Sequence, residues 1–343
     1  MKNLQTSSIR TRTRPARLFA ALAAVCLAAC CMSLALGPVN VPLPHVLRAL
    51  FSGEAATAAE RIALYSRLPR TCGCLIAGAA LAVSGAVIQG VLSNPLAAPN
   101  VIGVNAGAGL AAALCCALAP SAYALVPLAA FAGALFSVLL VLLIAERTGA
   151  SRITLVLAGV AVSGILSAGI DAIVTFRPEA LNGYSDFRIG SLANLTMQRI
   201  TPAFWVALCA LALLFTLTNE LDVLMLGQET AHSLGVKTGR MRVILLALAA
   251  ALAGAAVSFA GLIGFVGLIV PHIMRRFAGD ESRFLLPASA LGGASLLTLC
   301  DLAARTLFTP YELPVGILLS LFGGPFFIWL LFRQRKGRSP AGA

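Results

Sequence analysis

Two arginines stand directly in front of an apolar run, in the stretch SRLPRTCGCLIAGAA at residues 66–80. The nearest acidic residue along the chain is Glu60, so Arg67 and Arg70 have no carboxylate partner within their own segment. A guanidinium group offers a planar fork of donors that matches a carboxylate in shape and charge. Two interpretations follow: the arginines pair with an acidic partner, or they anchor a membrane helix at a fixed depth by snorkelling.

The other reactive side chains do not form a catalytic or metal-binding constellation. The C-G-C stretch at 72–74 is the one suggestive spacing among nine cysteines, and it lacks the second pair that a metal site needs. His45, His232 and His272 stand far apart in the sequence. None of the three lysines follows a glycine, so the G-K-[ST] phosphate loop is absent. We therefore predict no metal, no cofactor, no catalytic residue and no ATP hydrolysis by this chain.

Composition places the chain in the membrane, because 59% of its residues are hydrophobic and 11% are charged, with a mean hydropathy of +0.93. An α-helix needs about 20 apolar residues to cross the hydrocarbon layer. Glycines within the apolar segments, such as Gly78, Gly85 and Gly107, would let helices approach closely. The predicted fold class is an all-α integral membrane protein with about ten transmembrane helices, at residues 17–37, 68–90, 101–119, 123–145, 153–176, 202–219, 241–260, 261–278, 284–305 and 312–332.

The distribution of Lys and Arg predicts the orientation. Placing both termini in the cytoplasm assigns 17 of the 25 basic residues to the inner side, and positive charge marks cytoplasmic loops. Residues 38–66, 177–201 and 306–311 then lie outside, with Arg67 and Arg70 at the outer surface. The net charge of +12 is accordingly a topology signal, and nucleic-acid binding is not expected.

The N-terminal segment has two interpretations. Its basic start and apolar run fit a cleavable signal, but the run is longer than usual and Gly37-Pro38 is not a cleavage site. We therefore expect an uncleaved first helix. The predicted organisation is a basic cytoplasmic tail at 1–16, a transmembrane domain at 17–332 with a cytoplasmic loop at about 220–241, and a basic tail at 333–343.

The stretch SNPLAAPN, Ser93–Asn100, contains two prolines and two asparagines at the inner end of a predicted helix. These residues favour a tight, non-helical turn. The turn is either a plain connection between helices or part of a gate.

The stretch LDVLMLGQETAHSLGVKTGRM, residues 221–241, contains a predicted short helix. Gly227 and Gly235 bracket it, Glu229 stands in its first turn, and basic residues follow it. A short helix in a cytoplasmic loop is either a docking element for a partner protein or a solvated connector.

Several stretches together resemble the permease subunits of ABC importers for iron chelates and cobalamin, the FecCD-type family. They follow the family order over nearly the whole chain: RLPR at 67–70, SGAVIQGVLSNPLAAPNVIGV at 84–104, LAGVAVSG at 157–164, GQETAHSLGV at 227–236, GFVGLIVPHIMR at 264–275 and ELPVGILLSLFGGPFFIWLL at 312–331. The combination is specific, although each stretch alone would be weak.

The resemblance implies a type II ABC importer permease with ten transmembrane helices in the bacterial inner membrane. It also implies the partners: a second permease subunit, with a homodimer favoured over a heterodimer, two cytoplasmic ATPase subunits and a periplasmic binding protein. A separate ATPase chain would explain the missing phosphate loop. Lipid surrounds the helices.

The resemblance assigns roles to specific residues. Arg67, Arg70 and Arg305 match the arginines that dock the binding protein, although Asp301 stands four residues before Arg305 and could pair with it. Asn94 and Leu96 match the cytoplasmic gate, with Ser151 as a weaker candidate because Ala150 replaces a frequent hydroxyl residue. The coupling element that contacts the ATPase matches Gly227, Gln228, Glu229, Thr230, Ala231, His232, Leu234 and Gly235.

The predicted function is ATP-powered import of a ferric-siderophore-type chelate, with haem and cobalamin as alternative cargoes. The cargo rests on what most family members carry, because few aromatic or ionisable residues lie in the helices. A different class, the ion-coupled secondary transporter, is favoured only by Asp171, a carboxylate deep in a predicted helix whose role the sequence leaves open.

Overall fold

The computed structural model describes residues 15–52, 57–149 and 151–336, and within these ranges the chain is mostly helical with no β-strand. Most of the two predicted tails lies outside the described residues. A π-helical turn at Ala63–Arg67 leads directly into the helix that begins at Leu68. The α-helices are α1 (Pro15–Ala35), α2 (Leu43–Ser52), α3 (Ala58–Ile62), α4 (Leu68–Leu92), α5 (Val104–Leu118), α6 (Val126–Arg147), α7 (Arg152–Phe176), α8 (Ala180–Ile189), α9 (Met197–Thr216), α10 (Thr218–Met225), α11 (Gln228–Ser233), α12 (Thr238–Ala260), α13 (Val266–Ala278), α14 (Ser282–Thr306) and α15 (Val315–Lys336).

Seven helical segments of the described chain are long and apolar enough to cross a membrane. They contain α1, α4, α6, α7, α9, α12 and α14. Helix α5 and residues 315–330 of α15 are apolar but shorter, and α13 has 13 residues. The predicted all-α, multi-pass membrane fold is confirmed, and the count of ten transmembrane helices stays a prediction.

Helix α4 forms the centre of the bundle and packs against α12, α13 and α14. In its most apolar window 83% of the residues are buried, against 22% for α7, which therefore lies at the periphery. Glycines make the closest contacts of α4. A Cβ atom added at Gly78 would collide with the carbonyl oxygen of Gly293 on α14, and one at Gly85 with that of Gly267 on α13. The predicted close packing of glycine-bearing helices is thus confirmed at these positions.

A non-helical break separates α12 from α13. Gly261 ends α12 with a φ of 74°, and a Cβ atom there would collide with the carbonyl oxygen of Phe187. Glycine adopts this backbone conformation without steric cost, so the helix can stop where α8 approaches it. Helix α13 then begins beside Gly85, in the interior of α4, which makes it a half-length helix rather than the full span predicted at 261–278.

The two ends of the bundle carry different predicted sites. At one end, which we call the arginine end, α1 and α14 finish and α4 begins. At the other end, which we call the loop end, α4 finishes and α7 and α14 begin. Helices α10 and α11 are located at this end as well. Helices α4 and α14 run in opposite directions between these ends. Each therefore reaches from one predicted site to the other.

Candidate functional site

Arg70 forms the centre of a charged cluster at the arginine end. Its Nε donates to both carboxylate oxygens of Asp301 at 3.0 and 2.9 Å, and its Nη1 donates to Oε2 of Glu312 at 2.7 Å. The pairing with Asp301 follows from the packing of α4 on α14. Arg70 precedes Gly78 by eight residues and Asp301 follows Gly293 by eight, so antiparallel helices that touch at these glycines bring the two charges together.

Arg67 and Arg305 hold the end of α1. Arg67 Nη1 donates to the carbonyl oxygens of Leu34 and Ala35 at 2.9 and 2.8 Å, and its Nη2 donates to that of Val39. Arg305 Nη2 donates to the carbonyl oxygen of Ser33 and, at 2.9 Å, to its hydroxyl. The last carbonyls of a helix lack partners within the helix and carry negative partial charge, so a cation suits this position.

The structure therefore brings the three predicted docking arginines together, but it corrects how they were expected to lie. Arg67, Arg70 and Arg305 are only 3%, 8% and 3% exposed, whereas the sequence placed Arg67 and Arg70 at the surface without acidic partners. Arg70 has two such partners, both distant in sequence. The anticipated contact of Arg305 with Asp301 is present, with Nε 3.8 Å from Oδ2. Docking stays a prediction.

Glu312 is a member of this cluster that the sequence did not reveal. It lies in the segment between α14 and α15, and its side chain is 40% exposed while that of Arg70 is 10% exposed. Asp301, by contrast, is fully buried. Buried charges are costly unless they are paired. Glu312 is the first residue of the ELPVG stretch, but no local sequence pattern links it to Arg70, which is 242 positions away.

At the loop end, the short helix predicted between Gly227 and Gly235 is present as α11. Both glycines have positive φ, 114° and 82°, which explains why glycine stands at the two boundaries. Glu229, Thr230 and His232 are exposed, as is Leu234 at 61%, whereas Ala231 is fully buried and anchors the helix to the protein. The side chain of Gln228 lies outside the described residues.

The segment that leads into α11 contacts three other helices. Leu221 and Met225 of α10 pack against Gly90, in the last turn of α4. Arg152, at the start of α7, donates to the carbonyl oxygen of Leu224 at 3.2 Å. The carboxylate of Asp222 accepts from the backbone N–H of Ser282 at 3.0 Å, so it caps the start of α14. Helix α11 is thus linked to α4, α7 and α14 through its contact with α10.

The predicted gate residues lie where α4 ends and α7 begins. Asn94 is exposed, and its side chain accepts from the backbone N–H of Leu96 at 3.0 Å, which closes the predicted tight turn. Leu96 is half-buried. Ser151 caps α7, because its hydroxyl accepts from the N–H of Thr154 at 3.0 Å. Gating by these residues stays a prediction.

Asp171 is the carboxylate whose role the sequence left open. Asp171 is exposed on α7, and its backbone carbonyl accepts from Thr175 at 2.7 Å. Among the described residues, no group of three His, Cys, Asp or Glu side chains is arranged to hold a metal ion.

Comparison with known proteins identifies the class of molecule that carries this arrangement. The model of the FecCD transport family matches residues 25–333. The hemin transport system permease protein HmuU of Yersinia pestis is 39% identical over 315 residues, which cover 89% of this chain and 94% of that protein. The Fe(3+)-citrate import system permease protein YfmE of Bacillus subtilis is 36% identical, covering 95% of this chain and 98% of that protein.

A solved structure has the same fold. It is described as a metal-chelate type ABC transporter in an inward-facing conformation, and it is 29% identical to this chain. The match has a TM-score of 0.83 and covers 93% of this chain and 99% of that one. The predicted all-α architecture of a type II ABC importer permease is thereby confirmed. The chain belongs to the FecCD transport family.

Proposed function

We propose that this chain is the permease subunit of an ABC importer, working as a pair, and that it forms the path for a ferric-siderophore-type chelate. The observation that carries the proposal is that α4 and α14 each connect the arginine cluster with the contacts of α10 and α11. A transporter driven by a partner at one end and supplied by a partner at the other needs such a connection.

The proposed orientation puts the arginine end at the periplasmic face and both termini in the cytoplasm. It is supported by the excess of Lys and Arg in the segments that lead to the loop end. The loop end would then face the cytoplasmic ATPase subunits, and the arginine end a periplasmic binding protein that delivers the cargo. ATP hydrolysis would be the work of the separate ATPase chain.

Docking of the binding protein would depend on the arginine cluster, with different roles for its members. Arg70 lies next to the exposed Glu312, so a partner carboxylate can reach the same guanidinium group. Arg67 and Arg305 are more deeply buried and bind α1, so they would place Arg70 and supply positive potential. Such charges raise the rate of association more than they raise affinity.

Coupling to the ATPase would use the exposed side of α11. Glu229, Thr230, His232 and Leu234 offer polar and apolar contacts, while Gly227, Ala231 and Gly235 fix the position of the helix. Nucleotide-driven closure of the ATPases would displace α11 and, through α10, the ends of α4 and α7. The turn at Asn94 and Leu96 and the start of α7 at Ser151 would then open or close the path, which is alternating access.

The cargo is proposed from the relatives, whose names include iron citrate and hemin permeases. The test is ATP-driven uptake into proteoliposomes that hold this chain, its ATPase and its binding protein, with ferric siderophore, haem and cobalamin offered in turn. Uptake of ferric siderophore that requires ATP and the binding protein is expected. Uptake by this chain alone, driven by an ion gradient, would contradict the proposal and favour a secondary transporter.

A further inference from the structure

Arg70 is held by two carboxylates, and only one of them is accessible to exchange. Asp301 binds Nε from within α14 and is fully buried, whereas Glu312 binds Nη1 at 2.7 Å and is 40% exposed. We propose that Glu312 is an internal stand-in for a carboxylate of the binding protein, and that it occupies Arg70 until docking displaces it. This inference rests on the docking proposed above.

The difference between the two carboxylates explains why exchange is feasible. Removing the Asp301 carboxylate would leave a buried guanidinium group without its buried partner, which is strongly unfavourable. Releasing Glu312 moves an already half-exposed carboxylate into water, so it loses less than the fully buried Asp301 would. Arg70 therefore keeps its buried anchor while its outer side changes partner.

The charge balance requires some carboxylate at this place. Arg70 pairs with Asp301 and Glu312, and Arg305 lies beside Asp301. Arg67 donates to backbone carbonyls, so the cluster has three cations and two anions even before Glu312 leaves. The incoming group must supply the negative charge that Glu312 takes away. A carboxylate on the surface of a protein meets this requirement with the same hydrogen-bond geometry.

Release of Glu312 would act on the start of α15. The N–H of Leu313 donates to the carbonyl oxygen of Ala304 at 3.2 Å, and the N–H of Gly316 donates to that of Gly190 at 3.1 Å. A Cβ atom at Gly316 would collide with the carbonyl oxygen of Ile189, so this segment is packed tightly against the end of α8. Release of Glu312 from Arg70 would therefore affect α8 and α15 as well as α4 and α14.

The test is the affinity of cargo-loaded binding protein for the purified permease and ATPase complex, measured with Glu312→Gln. Glu312→Gln removes the carboxylate that competes for Arg70, so a larger fraction of the permease can bind the binding protein at once. The dissociation constant should therefore fall about fivefold. The matched control is Glu179→Gln, which removes the same charge from an exposed position at the same end and should leave the constant unchanged. Glu312→Asp keeps the charge but shortens its reach, and it should also tighten binding.

A cycle with Arg70→Lys separates this inference from the docking proposal. Arg70→Lys alone should weaken binding, and adding Glu312→Gln to it should then have little effect, because the two residues act through one contact. If Arg70→Lys weakens binding while Glu312→Gln and Glu312→Asp leave the constant unchanged, the stand-in role is wrong and docking is retained. If Arg70→Lys leaves binding unchanged, both proposals are wrong.

Discussion

Arg70 and Asp301 face each other across α4 and α14 because each lies eight residues from the glycine at which the two helices touch. The glycine pair sets both the distance and the register of the helices. A charged pair at the end of the bundle is therefore specified by two small residues in its interior.

The glycine contact gives the first prediction. Gly78→Ala puts a Cβ atom against the carbonyl of Gly293, so it should lower the free energy of unfolding by about 1–3 kcal/mol. The matched control is Gly164→Ala in α7, where, among the described residues, no atom outside the surrounding helix backbone and the two chain neighbours lies within 4 Å of the new Cβ. Thermal unfolding in detergent compares the two. Equal melting temperatures for both variants would show that the α4–α14 contact is looser than the structure indicates.

Asp301→Asn removes the buried anchor of Arg70. The remaining guanidinium groups would be left with an uncompensated buried charge, so a loss of about 3–5 kcal/mol of stability is expected. Asp171→Asn makes the same chemical change at an exposed position and should alter neither stability nor uptake. Loss of uptake in Asp171→Asn with normal stability would instead support an ion relay through this carboxylate.

Arg67→Gln tests whether Arg67 places the cluster or contacts the partner. Without its hydrogen bonds to Leu34 and Ala35, the end of α1 should open more often, which hydrogen exchange of residues 33–39 would detect. The affinity for binding protein should fall less than in Arg70→Lys. An equal fall in affinity with unchanged exchange would make Arg67 a direct contact.

Leu234→Ala tests the coupling surface. Leu234 is 61% exposed at the end of α11, and burying a leucine side chain in an interface removes apolar surface worth roughly 1.5–3 kcal/mol from water. Stimulation of ATP hydrolysis by loaded binding protein should fall about tenfold, the factor for about 1.4 kcal/mol. Ser233→Ala, at a neighbouring exposed position, is the control. Equal stimulation in both variants would remove Leu234 from the interface.

Patterns local in the chain made much of this fold predictable. The apolar runs indicated the membrane helices, and Gly227 and Gly235 indicated the boundaries of α11. The glycines of α4 indicated close packing. Each of these features depends on residues within a few turns of one another, which is the range over which sequence patterns carry structural information.

Features that depend on distant contacts were not predictable. The sequence showed Asp301 beside Arg305, but its main partner, Arg70, is 231 positions away. Glu312 belongs to the same cluster, but it lies in a loop whose conformation no local sequence pattern predicts. The half-length α13 was also missed, because the approach of α8 to Gly261 explains the break and hydropathy does not report it.

We propose that Arg70 transmits the arrival of the binding protein through α4 and α14 to the ATPase contact. The most direct measurement is ATP hydrolysis by the reconstituted complex of wild type and Arg70→Lys, with and without loaded binding protein. The predicted result is wild-type basal hydrolysis with loss of stimulation, and normal stimulation of the control Arg177→Gln, an exposed arginine at the same end. Full stimulation of Arg70→Lys would contradict this role of Arg70.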